Sequence, residues 1–396
     1  MSYLEEYIEK LRKNSAQTLI TERTRLIKKF NRTYNAFLFI YAASIEANTH
    51  EVALHPVDYE TIHDLVKDKS GGKIVFYIET KGGSGDAARD IAELLHKKFD
   101  EVHFLVAGEA KSAGTILALS GDEILMTETG SLGPIDAQVT VGRSAFSAHG
   151  YMTWVEQKRE ESIQTGKLSP FDATMVAQIS PGELNQVNNA LNFAINLVKT
   201  WLPQYKFKNW TKTETNGYEV TSEMKEKRAE EIARDLTDQS RWNSHGRSLK
   251  INDLKDLGIK IISVDEDPVM ADIVYRIKAI NRLLFDTLGV YKFFVTDVHR
   301  IQRSLTRKNP PGVTPMIPNL KNAELITLDI NCSKCHKKHS LYAKFKKTNQ
   351  FDQEMKAKGI KPVPKNKTFK CDCGTIIDLV GPLTEMETRF GKKIIL

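Results

Sequence analysis

Cysteine is absent from the first 331 residues of this 396-residue chain. No GxxxxGKS/T loop for nucleotide phosphates occurs anywhere in the sequence. There is no internal repeat and no low-complexity tract. Long apolar runs are missing too. The most apolar stretch, Ala36 to Ala43, is far too short to cross a bilayer, and Glu46 follows it closely. The opening residues, MSYLEEYIEKLRK, are charged and read as a helix, not as a secretory leader. These absences lead to the expectation of a soluble, cytoplasmic protein with no bound nucleotide and no membrane partner.

What is present is a large apolar complement, 41 % of residues, enough for a sizeable core in two or three domains. Residues 1–34, with Tyr3, Leu4, Ile8, Leu11, Leu26 and Ile27, read as a helical arm that packs on a neighbouring subunit or on its own core. Residues 35–145 alternate strands and helices, which predicts an α/β core within a domain over residues 35–300. NAFLFIYAASI and Lys73 to Ile78 read as strands. DYETIHDLVK and Ala87 to Phe99 read as helices, the latter with Ile91, Leu94, Leu95 and Phe99 at helical spacing. Residues 181–240 read as helical, with Thr221 as a cap and Met224 and Ile232 facing inward; INDLKDLGIKIISV reads as a helix and then a strand; Asp267 to Leu288 reads as a long helix. Residues 301–322 include the proline cluster RKNPPGVTPMIPN and read as a linker. Residues 301–396 carry 19 Lys and Arg against 8 Asp and Glu, a net +11 that leaves −4 for the first 300. The basicity belongs to the tail.

Two strand–turn–helix units hold small residues at the turn. In the first, KIVFYIETKGGSGDAARDI, Gly82 and Gly83 allow the backbone to approach a ligand and aim an N–H at it. In the second, AGEAKSAGTILALSGDEILM, Ser112 sits before a helix of small residues, Ala113 to Gly121. Amide donors at a helix start suit an oxyanion. The competing reading is structural: Ser112 as an ordinary N-cap, and Gly-Gly as an ordinary turn.

The order TKGGSGDAARDI, AGEAKSAGTILALSGDEILM, GSLGPIDAQ resembles the Clp-protease/crotonase fold, and more closely the serine dehydrogenase proteinase family, related to signal peptide peptidase A. The resemblance covers about residues 35–290 and implies a ββα spiral core with Ser112 as nucleophile and Gly82 or Gly83 with Ala113 as the oxyanion hole. It also implies a homo-oligomer. Lys81 stands where such families usually carry proline. No histidine lies at Gly133-Pro134-Ile135-Asp136, the Clp-type position for a base, and His149 is the nearest downstream. The signal-peptide-peptidase pattern, a lysine followed by Ser-Pro, matches Gly166-Lys167-Leu168-Ser169-Pro170. It implies Lys167 as general base, kept neutral by burial, with Ser169 and Asp136 able to orient it. Lys111 and Lys81 are rivals, although Lys111 is expected to point away from the serine hydroxyl. Asp136 has the alternative role of closing the Gly-Pro turn. His245, in WNSHGR, reads as a structural turn or as an auxiliary site residue.

The tail holds Cys332-x-x-Cys335 and Cys371-x-Cys373-Gly, a set suited to a four-thiolate zinc site. His336 or His339 could replace one thiolate. The segments Leu325–Ile330, Ser340–Phe345 and Thr368–Leu379 have strand character, so residues 323–396 read as a small basic zinc ribbon. The expected function is a serine endopeptidase acting on polypeptides. Two other readings stay open: a crotonase-like acyl-CoA enzyme using Glu109 or Asp136 as acid/base, and a silent scaffold whose tail binds nucleic acid or an acidic partner.

Overall fold

The computed structural model describes the chain apart from residues 1, 142–143, 214, 243, 245, 305–323, 333, 336, 347–349, 391 and 396. Two compact units emerge, Met1–Thr306 and Arg307–Leu396. The first opens with α1 (Tyr3–Lys13) and α2 (Ala16–Tyr34), then β1 (Phe37–Ala43), α3 (Pro56–Val66), β2 (Lys73–Glu79), α4 (Gly85–Lys98) and β3 (Glu101–Val106). A two-residue strand β4 (Glu109–Ala110) precedes α5 (Ala113–Leu119), followed by β5 (Glu123–Met126) and β6 (Ser131–Leu132). The hairpin β7 (Gln138–Val141) and β8 (Ser144–Ser147) leads to α6 (Ala148–Thr165), α7 (Pro170–Val176), α8 (Pro181–Trp201), α9 (Ser222–Thr237), α10 (Gln239–Trp242) and α11 (Ile251–Asp256). The unit ends with β9 (Ile262–Ser263), α12 (Pro268–Leu288), β10 (Val290–Val295) and β11 (Arg300–Ser304).

Because helices join successive strands, the chain returns to the same end each time, and the pairs β1–β2, β2–β3, β3–β5 and β5–β9 are parallel. The tight connections at the other side make β10 and β11 antiparallel, giving the order β11-β10-β1-β2-β3-β5-β9. Alternation along β1 sends Phe39 and Tyr41 to one core and Leu38, Ile40 and Ala42 to the other. Helices α3, α4, α5, α8 and α9 cover the first face; α2 and α12 cover the second.

A second, smaller layer stands at the carboxyl ends of the strands. There Leu54 bridges Gly83, Thr80 bridges Ala110, and β4 pairs with β6 in parallel. Strands β1, β2 and β3 thus each feed a short segment of this layer before the chain turns into a helix, and β5 is followed by β6. That is the ββα spiral expected from the resemblance.

Of the two placements open for the arm, the structure has it covering its own core. Tyr7, Leu19, Leu26, Ile27 and Phe30 are buried against the sheet and α12. Two details differ from the sequence reading. Residues 301–304 belong to β11, paired in the main sheet with β10, and not to a linker. Met224 is 37 % exposed, because it sits in the first turn of α9 beyond the edge of the packed face that buries Ile232.

The second unit has β12 (Leu325–Asn331), β13 (Lys338–Lys344), α13 (Gln350–Ala357), β14 (Lys361–Pro362), β15 (Thr368–Lys370), β16 (Ile376–Asp378) and α14 (Val380–Phe390). It has a separate core of Ile326, Leu328, Leu341, Ala343, Val363, Leu379 and Leu383. The cysteine knuckles occupy the β12–β13 and β15–β16 turns, and α13 with β14 fills the long interval between them. Among the described residues no helix is long and apolar enough to cross a membrane.

Candidate active site

Ser112 lies between β4 and α5 with φ 49° and ψ −117°, a backbone shape that a non-glycine residue adopts at a cost. It occupies the N-cap position, yet its side chain accepts no capping hydrogen bond. The residue is half-buried, so its hydroxyl is neither consumed by the helix nor walled into the core. Ser84, Ser147, Ser169 and Ser180 at other helix starts do cap with their side chains; Ser15 does not, but it has ordinary extended backbone angles, unlike Ser112.

The Gly-Gly turn is packed directly on it. A Cβ added at Gly82 would fall 2.8 Å from Ser112 Cβ and 3.4 Å from its Oγ, and one at Gly83 would fall 2.4 Å from the Leu54 carbonyl oxygen. With φ values of 103° and 146°, both positions need glycine on conformation and on space. Gly82 is buried, and its N–H donates to Thr80 Oγ1 at 3.1 Å. Gly83 is exposed, and among the described residues its N–H has no partner. Ala113 contributes the first amide of α5, whose N–H has no acceptor within the helix.

Thr80, which the sequence reading did not single out, is the joint of this region. Its backbone pairs with Glu109 and Lys111, its hydroxyl serves the Gly82 amide, and its methyl packs on Gly114, where an added Cβ would approach to 2.5 Å. The signal was a threonine two residues before the first glycine, the spacing at which a hydroxyl meets the i+2 amide. Thr115 is a second such residue, donating to the Ala110 carbonyl at 2.8 Å and accepting from Gly133 N–H at 2.9 Å.

The remaining candidates are spread out. Lys111 points away from Ser112: its buried Nζ donates to the Leu132 carbonyl (2.9 Å), the Arg247 carbonyl (3.1 Å) and Ser248 Oγ (2.9 Å). Burial pulls it down to about 8, partly offset by Glu109. Three acceptors match the three N–H donors of an ammonium, so Lys111 acts as a clamp on the Leu132 turn. Lys81 is exposed, 3.5 Å from the Ala47 carbonyl. Lys167 is on an exposed turn after α6, whose C-cap is Gly166, and none of the hydrogen bonds of the described residues links it to Ser112. Ser169 is engaged as the cap of α7, accepting from Asp172 N–H and donating to the Asp172 carboxylate. Orienting Lys167 is therefore not what its hydroxyl does here. Asp136 is fully buried and accepts from Gln138 Nε2 at 3.0 Å. Glu109 lines a cavity of about 260 Å³ with Glu79, Thr129 and Lys278, a lining that does not include Ser112. His149 lines a groove of about 710 Å³ between α6, α8 and α9. His245 and His336 lie outside the described residues.

In the second unit the Sγ atoms of Cys332, Cys335, Cys371 and Cys373 all lie within 4.8 Å of one another. Cys332 and Cys371 are buried, and backbone donors at Cys335 and Lys334 lower the Cys332 thiol to about 6. His339 Nε2 sits 3.1 Å from Cys371 Sγ, beside the four sulfurs. Four convergent sulfurs on two tight turns fit a tetrahedral thiolate-loving metal.

A strained serine beside a Gly-Gly turn, at the carboxyl edge of a mostly parallel sheet, is the layout of an α/β serine hydrolase. Residues 58–223 match the family model of the ClpP-like SDH-type serine proteinases. Two uncharacterized proteins of Methanocaldococcus jannaschii are similar. One is 30 % identical over 196 residues, 49 % of this chain and 54 % of that protein. The other is 24 % identical over 184 residues, 46 % and 50 % of the two chains. The chain thus spans about half the length of the curated relatives it matches. Among solved structures, a serine-to-alanine mutant of the 1510-N membrane-bound stomatin-specific protease is 16 % identical with a TM-score of 0.29, covering 53 % of this chain and 74 % of that one. A lysine-to-alanine mutant of it, in complex with a substrate peptide, is 16 % identical with a TM-score of 0.30, covering 64 % and 84 %. At those values the solved structures add nothing to the assignment of residues.

Proposed function

We propose that the chain is a serine endopeptidase that cleaves polypeptides through an acyl-enzyme on Ser112. The observation that carries this is the strained, uncapped Ser112 packed against Gly82. The hydroxyl attacks a peptide carbonyl while a base takes its proton. The carbonyl oxygen becomes an oxyanion held by the Ala113 and Gly83 amides. Collapse breaks the C–N bond, the base returns its proton to the leaving amine, and water then hydrolyses the ester. The match of residues 58–223 to the ClpP-like SDH-type serine proteinases supports the same reading.

Lys167 is the proposed base on its sequence pattern. It lies on an exposed turn, so the dyad requires that turn to be brought over Ser112. The test is labelling with a fluorophosphonate and cleavage of casein. The wild type is expected to react, Ser112→Ala to lose both activities, and Lys167→Ala to lose at least about 100-fold, the scale of a general base. Labelling that persists in Ser112→Ala removes the nucleophile; Lys167→Ala at wild-type rate removes the base and leaves Ser112 in place. Zinc is the proposed occupant of the four-thiolate site, supported by the donor set. Its role would be to hold the two knuckles of a unit with a small core.

A further inference from the structure

A fully buried ion pair of the first unit lies behind the Gly-Gly turn, and the mechanism above does not use it. Asp58, in the first turn of α3, and Lys292, in β10, are both fully buried. Asp58 Oδ2 accepts from Lys292 Nζ at 2.6 Å, from Tyr41 Oη at 3.0 Å and from the His55 amide at 3.0 Å. Its other oxygen has no hydrogen bond and faces Arg303 Nη1 at 3.5 Å. A buried ion pair is a poor device for stability, since apolar side chains of similar volume do as well or better. An apolar pair, however, cannot hold a carbonyl. Lys292 Nζ also donates to the Ala53 carbonyl at 2.6 Å.

Lys292 thereby fixes Ala53 from one side and Asp58 fixes His55 from the other. The residue between them, Leu54, grips the turn at two points: its N–H donates to the Gly82 carbonyl at 2.7 Å, and its carbonyl accepts from Ser84 N–H at 2.8 Å. On the opposite side of the turn Thr80 Oγ1 accepts from the Gly82 amide. Gly82 is thus held at both its N–H and its carbonyl, and Gly83 is left presenting its N–H outward.

We propose that Asp58, Lys292 and Thr80 are positioning residues for the nucleophilic serine: the buried pair sets the 53–55 segment, that segment and Thr80 lock Gly82, and the lock aims the Gly83 amide at the oxyanion of Ser112. This rests on the hydrolase reading of Ser112. It adds that a buried ion pair behind the turn governs acylation.

The experiment compares the full-length wild type with Thr80→Val, Thr80→Ser and the double variant Asp58→Leu/Lys292→Met. The double variant removes both charges together, so neither is stranded. Two quantities are read in proteins that keep the wild-type circular dichroism: the fluorophosphonate labelling rate, and amide exchange of the peptide spanning residues 80–84. Thr80→Val and the double variant are expected to label about tenfold more slowly, the size of one lost hydrogen bond, and to exchange faster in that peptide. Peptide cleavage should lose kcat with little change in KM, and Thr80→Ser should restore both readouts. Unchanged labelling with faster exchange overturns the link to the oxyanion; unchanged exchange overturns the lock itself. If the wild type takes up no probe, the hydrolase reading fails, and the lock is then judged on exchange alone.

Discussion

Lys111 and Ser112 show how differently two adjacent side chains can be used. The hydroxyl stays uncommitted beside Gly82, while the ammonium next to it is bound to the Leu132 and Arg247 carbonyls and Ser248. Burial lowers Lys111 from the ordinary 10.5 to about 8. Below pH 8 both folded and unfolded chains carry this proton and stability is flat with respect to it. Between pH 8 and 10.5 the unfolded chain binds more protons, so this group makes the fold relatively more stable as pH rises, by up to about 3 kcal/mol. Lys111→Met should lack that component, which urea midpoints of the two proteins at pH 7.5 and 10 would detect. Parallel midpoints would mean that Lys111 titrates normally. Small residues around Ser112 made its importance legible, but its backbone angles were not, because they come from the crossing of β4, α5 and the Gly-Gly turn. Lys167 shows the converse. Its spacing and Ser-Pro context are plain in the sequence, whereas exposure depends on where α6 and α7 lie.

Among the elements, strands β1, β2 and β3 could be read from runs such as FLFIYAA and KIVFYIE, because strands covered on both faces are almost continuously apolar. Partners were harder. An apolar stripe on α2 says that one face is buried, not that it packs against α12 and the sheet. Lys292 breaks the apolar run VYKFFV, and its reason is a carboxylate 234 residues away. The contact between α2 and α12 holds a similar surprise. Arg23 is fully buried with one hydrogen bond, Nη1 to Asn281 Oδ1 at 2.7 Å, and a ring contact with Phe293. Its Nε and Nη2 and the Asn281 amide nitrogen have no partner among the described residues. Desolvation lowers this guanidinium to about 9. Replacing both, Arg23→Met with Asn281→Leu, should raise unfolding free energy by roughly 1–3 kcal/mol, since the buried charge and its unmet donors go together. A loss of stability in denaturant titration would show that the Phe293 contact outweighs them.

For the molecule as a whole, the division into two units with separate cores predicts two separable responses to metal removal. Chelation, or Cys373→Ser, should abolish the structure of residues 324–396 while the larger unit keeps its thermal transition. Metal analysis should return one zinc per chain before treatment. A single transition unaffected by chelator, or a chain without metal when purified, would remove zinc from the account. The two knuckles were legible because their spacing is local. The insertion of α13 and β14 between them was not, since a polar segment such as FDQEMKAKG carries only a weak helical pattern.

The two ends of the seven-stranded sheet also constrain how copies of this chain can meet. At one end β9 offers only Ile262 and Ser263 to a neighbour, and at the other β11 presents the exposed Arg300 along a strand with no fully buried residue. An incoming strand finds too short a template on one side and positive charge on the other. Growth of the seven-stranded sheet by adding strand to strand is therefore disfavoured at both of its ends.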